Sequence, residues 1–293
     1  MLKVSHLTRT FGDLKAADDV SFAVPAGQMI GFVGANGAGK TTTMRMIMGL
    51  LTPDAGAVTW DGQPITRQIR SRLGYMPEER GLYAKQPIID QLVYLARLKG
   101  MTPEGARTEA AALMERFGLG DRLKDKLEKL SLGNQQRVQI AAAVMAGPIG
   151  LILDEPFSGL DPKAVDQMAA LLAERASSGV PVLFSSHQLD LIDRLCDGLV
   201  ILNEGRVVAA GNKADLESQG ALRHRLVVDG DAGWVRGLPG LRIDDVDGGT
   251  ALLEITTPGA ERELLATALQ RGNLIEFARV RPTLSEIYRE VTA

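Results

Sequence analysis

Gly34-Ala35-Asn36-Gly37-Ala38-Gly39-Lys40-Thr41, followed by Thr42, is the stretch that decides the fold of this 293-residue chain. It fits the pattern G-x-x-x-x-G-K-[ST] and lies between an apolar run, Gln28–Val33, and a segment with helical apolar spacing. Glycines in such a loop let backbone N–H groups turn toward phosphate oxygens, and the N-terminus of the following helix adds its dipole. The Lys40 ammonium can bind the β- and γ-phosphates, and the Thr41 hydroxyl can bind Mg²⁺. The loop therefore predicts a site for a nucleotide and Mg²⁺.

Two acidic residues follow a second buried strand pattern. Asp154 and Glu155 come directly after the apolar run Leu151–Leu153. Because ligands of α/β proteins bind at the carboxyl ends of the strands, Asp154 can hold the magnesium. Glu155, one residue further on, is placed to polarise a water in line with the γ-phosphate. The loop and this acidic pair together predict nucleotide hydrolysis.

Strand and helix patterns alternate through most of the chain. The apolar runs Val180–Phe184 and Gly198–Leu202 follow Leu151–Leu153, and helical stretches at Pro162–Ala176 and Gln188–Cys196 separate them. This alternation predicts an α/β fold, with a mostly parallel sheet covered by helices on both faces.

Two regions differ from this α/β pattern. Helical spacing with many charges runs through Pro87–Phe117, and we place a helical subdomain at about residues 85–147 of a first domain, 1–215. The tail, 221–293, shows short strands, helices and turn-rich segments, which predict a separate small α+β domain.

The composition excludes several classes of protein. A net charge of −3 argues against a non-specific nucleic-acid binder, and the single cysteine, Cys196, excludes a disulfide framework or a Cys-based zinc site. The apolar runs are shorter than the ~18 residues that span a bilayer, and the N-terminus lacks a signal-peptide core. We therefore expect a cytoplasmic chain, which can still dock on a membrane protein. His6 and His224 lie outside every motif, and we expect both to be solvated.

A third segment selects among nucleotide-binding families. Leu130-Ser131-Leu132-Gly133-Asn134-Gln135-Gln136-Arg137 precedes Asp154 and opens a helix pattern. With this segment the chain resembles the ATP-binding subunits of ABC transporters, whose signature is Leu-Ser-Gly-Gly-Gln. The resemblance covers about residues 1–215. The stretch Pro282–Ile287 is similar to the C-terminal extension of a subgroup of ABC-2-type exporter ATPases that includes sodium-efflux systems.

The resemblance implies roles for residues outside the phosphate loop. Phe11 would stack on adenine, and His187 would contact the γ-phosphate. Ser158-Gly159-Leu160-Asp161 matches the loop at the seam between two such chains. Ser131 and Gly133 would face the γ-phosphate of a nucleotide held by the second chain. The implied catalytic residues are Lys40, Glu155 and His187; the implied nucleotide contacts are residues 34–42 with Phe11, Ser131, Gly133 and Asp161.

Three positions depart from the family pattern. Leu132 stands where the family usually has glycine, and Asn134 where it has glutamine. Glu78, in Gly74-Tyr75-Met76-Pro77-Glu78-Glu79, replaces the usual glutamine beside Mg²⁺ and the attacking water. A carboxylate there can bind the metal more tightly or shift the pH dependence of hydrolysis, so the expected metal ligands are Thr41, Asp154 and Glu78.

The resemblance implies an ABC-type ATPase fold with a parallel or mixed sheet core, antiparallel β and helical subdomains, and the small tail domain. It implies that ATP and Mg²⁺ close a dimer of two identical or similar chains, and that closure drives export through a separate integral-membrane permease. The segment after Glu78, roughly Glu79 to Gln91, is the implied docking surface on that permease, at the inner face of the cell membrane. One alternative is a soluble relative that acts on ribosomes or DNA. A more distant one is a small-molecule kinase, against which Leu130–Arg137 argues.

Overall fold

Short apolar strands and helices alternate along Met1–Asn212, the first of two units into which the chain folds. The computed structural model describes residues 1–79, 81–219, 222–271, 274–281 and 284–292. The strands of the first unit are β1 (Leu2–Phe11), β2 (Leu14–Val24), β3 (Met29–Val33), β4 (Ala55–Trp60), β5 (Gln63–Pro64), β6 (Gly74–Met76), β7 (Leu151–Leu153), β8 (Val182–Ser185), β9 (Gly198–Asn203) and β10 (Arg206–Asn212). Its helices are α1 (Lys40–Met48), α2 (Arg67–Ser71), α3 (Ile88–Leu98), α4 (Pro103–Arg116), α5 (Leu132–Val144), α6 (Pro162–Ser177) and α7 (Leu189–Leu195).

A largely parallel sheet forms the centre of this unit, and the predicted α/β fold is confirmed. Its strand order is β10-β9-β3-β8-β7-β6, in which β10 runs antiparallel to β9 and the other neighbours are parallel. Every residue of β3, β7 and β8 is buried, as continuous apolar runs favour. Because β8 lies between β3 and β7, the loops that follow these three strands meet at one edge of the sheet.

A second, antiparallel sheet with the order β2-β1-β4-β5 shares one apolar core with the central sheet. The rings of Phe22 in β2 and Phe32 in β3 lie 5.1 Å apart between their centroids. Met44 and Ile47 of α1 are fully buried in the same core. Truncation of such a side chain to alanine typically costs about 2–5 kcal/mol. This packing fixes the position of α1 and therefore of the loop that precedes it.

The helical pattern over Pro87–Phe117 is two helices, α3 and α4, rather than one. Gly100 between them has a φ of +95°, a conformation that glycine adopts at little cost. The Thr102 hydroxyl then accepts a hydrogen bond from the Gly105 N–H at 3.1 Å, and Pro103 begins α4. The apolar periodicity alone did not reveal this break.

Two strands of the central sheet, β6 and β10, are not among those that the apolar runs predict. β6 has three residues, and β10 is an edge strand whose exposed and half-buried residues alternate. Neither strand is buried along its whole length, unlike β3, β7 and β8.

The second unit, Lys213–Val291, is a small α+β structure. Its elements are α8 (Lys213–Gln219), β11 (Arg223–Val228), β12 (Leu241–Asp247), β13 (Thr250–Ile255), α9 (Ala260–Arg271), β14 (Leu274–Val280) and α10 (Leu284–Thr292). The strands form an antiparallel sheet with the order β12-β13-β11-β14, and Leu264 and Ala268 of α9 belong to its apolar core. The end of the predicted first domain, residue 215, falls within α8. Pro282 and Thr283 of the tail motif lie outside the described residues.

One expectation for this unit is wrong. His224 was expected to be solvated, but its side chain lies on β11, the strand between β13 and β14, and the residue is only 6% exposed. His6, by contrast, is exposed as expected. Among the described residues, no helix is both long and apolar enough to cross a bilayer.

Candidate functional site

The loop of residues 34–42 connects β3 to α1 and is pressed against neighbouring backbone. A Cβ atom at Gly39 would lie 2.1 Å from the Ala16 carbonyl oxygen, and Gly39 has a φ of +97°. A Cβ atom at Gly34 would lie 2.5 Å from the Leu202 carbonyl oxygen. Both contacts are with backbone, which cannot move aside, so only glycine fits at these two positions.

The ammonium group of Lys40 lies inside this loop. It donates hydrogen bonds to the carbonyl oxygens of Gly34, at 2.7 Å, and Ala35, at 3.1 Å. Lys40 is 8% exposed and begins α1, whose first turn is Lys-Thr-Thr-Thr. The buried cation and the positive end of the helix dipole therefore act together on any anion held by the loop.

Asp154 follows directly after β7, and only one of its two carboxylate oxygens accepts a hydrogen bond from the described part of the chain. The residue is 1% exposed, and its Oδ1 accepts a hydrogen bond from the Ser185 hydroxyl at 2.6 Å. Its Oδ2 is buried and has no hydrogen-bond partner among the described residues. A buried carboxylate oxygen without a partner is unfavourable unless a cation or donor binds it, so Asp154 fits a hard metal ion such as Mg²⁺.

Glu155 is held by contacts on both its backbone and its side chain. Its φ is +50°, and its N–H donates to the Ser185 hydroxyl oxygen at 2.8 Å. Its Oε2 lies 3.1 Å from His187 Nδ1. Burial raises the pKa of the Glu155 carboxyl above its usual value, while the nearby His187 and Lys40 oppose that rise. A raised pKa brings a carboxylate closer to the range in which it is an effective base at neutral pH.

Lys40, Asp154 and Glu155 line one cavity of about 340 Å³, whereas His187 lies behind Glu155 and is not part of the lining. Most of its lining residues are among those that the sequence predicts, and Leu14 and Ala16 of β2 are additions. The predicted residues that line it are Phe11, Asn36, Gly37, Gly39, Lys40, Thr41, Thr42, Glu78, Asp154 and Glu155. The structure therefore brings residues from the loop, the end of β1, the β6 loop and the end of β7 around one space.

Glu78 lies beside the loop, where its Oε2 accepts a hydrogen bond from the Thr41 hydroxyl at 3.3 Å. Two residues expected near a metal are thus in contact. In the described part of the chain, no three His, Cys, Asp or Glu side chains are grouped as a metal site on their own. A metal here would accordingly need oxygen ligands from the bound nucleotide as well.

Phe11 is the last residue of β1. The Arg9 guanidinium lies over its ring, 4.9 Å from the ring centroid. The ring is about half exposed. It lines the cavity beside Leu14, its cross-strand partner on β2, whose side chain is also exposed.

Ser131, Gly133 and Asp161 do not line the cavity. The Ser131 hydroxyl caps α5 by accepting from the Asn134 N–H at 3.4 Å, and Asp161 caps α6 by accepting from the Ala164 N–H at 2.9 Å. This backbone hydrogen bond, with help from Arg137, lowers the pKa of the Asp161 carboxyl. Gly133 lies against the Gly159 carbonyl oxygen, 2.9 Å from the site of a Cβ atom. Ser131 and Asp161 are both exposed, so their surface is open to another molecule.

Three positioning residues were missed by the sequence reasoning. Ser185 bonds to both acidic residues, as described above. On α5, Gln136 donates to the carbonyl oxygens of Glu155 and Pro156, at 2.9 and 3.1 Å, and Gln139 donates to those of Pro77 and Glu79, at 2.8 and 3.3 Å. For Gln136 and Gln139 the sequence does contain a sign of this role, because two glutamines three residues apart share one face of the predicted helix.

Known proteins share these motifs with this chain. Residues 17–158 match the ABC transporter family, and residues 219–292 match the C-terminal domain described as "ATP-binding protein DrrA1-3-like". The chain is 41% identical over 291 residues to an uncharacterized ABC transporter ATP-binding protein, YhaQ, of Bacillus subtilis, covering 99% of this chain and 98% of the relative. This chain belongs to the ABC transporter ATP-binding family. The predicted family is therefore confirmed.

Other members of this family extend the comparison. The linearmycin resistance ATP-binding protein LnrL of Bacillus subtilis is 30% identical, over 100% of this chain and 98% of its own. The daunorubicin/doxorubicin resistance ATP-binding protein DrrA of Streptomyces peucetius is 35% identical, over 74% and 67%. A solved ATP-binding subunit of an ABC transporter superposes with a TM-score of 0.70 at 33% identity, over 75% of this chain and 92% of that one. The chain is thus an ATP-binding subunit of an ABC transporter, and its activity is ATP hydrolysis.

Proposed function

We propose that this subunit powers export through a separate membrane permease and works as a dimer of two ATPase chains. Export is supported by relatives named for linearmycin resistance, daunorubicin/doxorubicin resistance and Nod factor export. None of these names refers to a ribosome or a nucleic acid. We assign ATP binding to residues 1–215, with a helical subdomain at about 85–147, and a distinct C-terminal domain to 221–293.

The residues in and around the cavity have separate roles in this proposal. The backbone of residues 34–39 and the side chains of Lys40, Thr41 and Thr42 hold the phosphates. Phe11 stacks on adenine, and the raised pKa of Glu155 suits it to accept a proton from the attacking water. His187, next to Glu155, orients that carboxylate and contacts the γ-phosphate.

The site offers oxygen ligands of the kind that Mg²⁺ prefers. Asp154 Oδ2 is a buried carboxylate oxygen without a hydrogen-bond partner among the described residues, and the Thr41 hydroxyl and the Glu78 carboxylate are two further ligands. When bound, Mg²⁺ neutralises charge on the β- and γ-phosphates.

The proposed dimer rests on the position of the signature segment, residues 130–137. Ser131 and Asp161 are exposed and lie outside the cavity of their own chain, although the signature residues resemble those that contact ATP. A second chain, inverted head to tail, would supply Ser131 and Gly133 to this cavity. ATP then closes the dimer and hydrolysis releases it, so that binding energy becomes a conformational change.

An exposed apolar stripe in the helical subdomain supports docking on a permease. Tyr94 and Leu98 are four residues apart on α3 and share one face. Tyr83 lies close by, because its backbone N–H donates to Gln91 of α3 at 3.1 Å. All three side chains are largely exposed. Tyr83 lies within the predicted docking segment, Glu79 to Gln91, and the stripe continues just beyond it.

Membrane association tests this proposal. The chain is expressed with the permease from its own gene cluster, and its share in the membrane fraction is measured. We expect the double variant Tyr94→Ser and Leu98→Ser to leave the membrane fraction while its ATPase activity persists. Leu98 is 67% exposed, and Leu269 of the second unit, 68% exposed, gives a matched control variant, Leu269→Ser. Equal membrane binding by all three proteins contradicts the docking surface, and no binding by the unaltered chain contradicts the permease.

A further inference from the structure

The second unit contains a cavity of about 500 Å³ that the ATPase site does not use. We call it the tail cavity. It lies at the end of the antiparallel sheet where α9 begins, and its lining includes His224, Phe277, Ile255, Leu222, Glu261 and Arg279. Its volume lies within the range of small-molecule sites.

The floor of the tail cavity is aromatic and contains an unsatisfied polar atom. The His224 ring stacks on Phe277, with centroids 5.2 Å apart and 9° between the ring planes. His224 Nδ1 is buried and has no hydrogen-bond partner among the described residues. Burial lowers the pKa of His224, and Arg279 lowers it further against the opposing effect of Glu261, so the surroundings favour the neutral ring. A neutral ring offers one donor and one acceptor, and a buried nitrogen left without a partner is unfavourable.

The rim of the tail cavity carries one cation and one anion. Arg279 of β14 is directly opposite His224 in the sheet, so its side chain is on the same face. Glu261 lies in the first turn of α9, where one of its oxygens accepts from the Gly259 N–H at 3.0 Å. Neither side chain forms an ion pair in the part of the chain that the structure describes. The third charged side chain of the lining, Glu254, is paired with Arg242 at 2.6 Å.

These features are complementary to one kind of small molecule. We propose that the tail cavity binds a zwitterion with an apolar body, of the chemical class of aromatic and aliphatic amino acids. Its carboxylate would meet Arg279, its ammonium would meet Glu261, and its apolar body would lie against Phe277, Ile255 and Leu222. The site does not depend on the export function proposed above.

Calorimetric titration of the full chain, without nucleotide, tests this with four probes. L-Phenylalanine and L-leucine carry both charges, 3-phenylpropionate lacks the ammonium, and 2-phenylethylamine lacks the carboxylate. We expect both amino acids to bind, and L-phenylalanine to bind at least about tenfold more tightly than the two single-charge probes, because each charge-assisted hydrogen bond is a strong one.

Variants assign each charge to its partner. Arg279→Gln should weaken L-phenylalanine by about tenfold and leave 2-phenylethylamine unchanged. Glu261→Gln should weaken L-phenylalanine similarly and leave 3-phenylpropionate unchanged. Arg262→Gln and Glu263→Gln, on the same turn of α9 but outside the lining, are the controls and should change nothing. Three results would each overturn the proposal. They are no saturable binding by either amino acid, single-charge probes that bind as tightly as L-phenylalanine, and affinities that the Arg279 and Glu261 variants leave unchanged.

Discussion

The cavity around Lys40 and the surface around Ser131 differ in how they are built. Lys40 and Asp154 are buried and fixed by hydrogen bonds within one chain, and Glu155 is held by Ser185 and His187. Ser131, by contrast, is an exposed helix cap whose hydroxyl accepts a hydrogen bond from the Asn134 N–H of its own helix. One chain thus preorganises the part of the site that surrounds Lys40, whereas the role proposed for the signature residues requires a second chain. The predictions below test this difference, from the largest expected effect to the smallest.

Removal of the buried cation should have the largest effect. We expect Lys40→Ala to abolish ATPase activity and strongly weaken ATP binding, because the phosphate loop loses its only side-chain cation. Fluorescent-nucleotide binding and phosphate release measure both effects. Lys3→Ala, at an exposed lysine of β1, is the control. Near-normal turnover of Lys40→Ala would contradict the assignment of residues 34–42 as the phosphate-binding loop.

A change at the signature surface should separate binding from hydrolysis. We expect Ser131→Arg to stop hydrolysis and to leave ATP binding by the isolated chain largely intact, because in the proposed dimer Ser131 serves the partner's nucleotide and a bulky cation would block closure. Ser177→Arg, at an exposed serine of α6, controls for the added charge.

Mixing sharpens this test. A Lys40→Ala chain paired with a Ser131→Arg chain retains one intact composite site, so partial activity should return. If both residues acted within their own chain, mixing would recover nothing, and the cavity and the signature surface would then belong to one site.

Glu155→Gln should slow hydrolysis at least ~100-fold, in line with the loss of a general base. Glutamine is nearly isosteric, so the backbone contacts of residue 155 should persist and ATP should still bind. The change also removes a negative charge that faces the γ-phosphate, so the variant should accumulate as an ATP-bound dimer. Size-exclusion chromatography with ATP measures this state, and Glu128→Gln, at an exposed position, is the control. A variant that stays monomeric with ATP counts against the composite dimer.

Ser185→Ala should have a smaller effect because it acts through its neighbours. The Ser185 hydroxyl joins Asp154 Oδ1 to the Glu155 N–H, and its loss leaves two buried groups unsatisfied, a penalty of about 1–3 kcal/mol each. We expect about a tenfold loss of kcat, since 1.4 kcal/mol is a factor of ten, and a higher Mg²⁺ concentration for half-maximal activity. Ser185→Thr should retain both values, and Ser178→Ala, at an exposed serine, is the control. An unchanged Mg²⁺ requirement would show that Ser185 is a packing residue only.

The sequence predicted the parts of the fold and site that are local. The phosphate loop, the acidic pair and the alternation of strands and helices each occupy a continuous stretch with a fixed spacing, so a pattern reveals them. Ser185 and Gln136 act on residues far away in the chain, and those contacts form only when β8 lies next to β7 and α5 packs against β6. His224 was misjudged for the same reason, because its burial depends on the strands on either side of β11.

The smallest effect is expected at Glu78, where the sequence departs from its family. Its Oε2 accepts a hydrogen bond from the Thr41 hydroxyl at 3.3 Å, and glutamine also has an oxygen that can accept this bond. Glu78→Gln therefore keeps the contact and removes one negative charge beside the metal position. We expect substantial ATPase activity to remain, with a higher Mg²⁺ concentration needed for half-maximal rate. Glu78→Ala, which removes the contact as well as the charge, should lower the rate further.

Phosphate release at varied Mg²⁺ distinguishes Glu78 from Glu155, the other carboxylate at the cavity. The two differ in burial: Glu78 is exposed at the mouth, whereas Glu155 is held next to His187 and has a raised pKa. Glutamate can act as a base and glutamine cannot, whereas either side chain can accept the Thr41 hydrogen bond. If Glu78→Gln were inactive while Glu155→Gln turned over normally, the catalytic assignment would move to Glu78, and the exposed side of the cavity rather than the buried one would carry the chemistry.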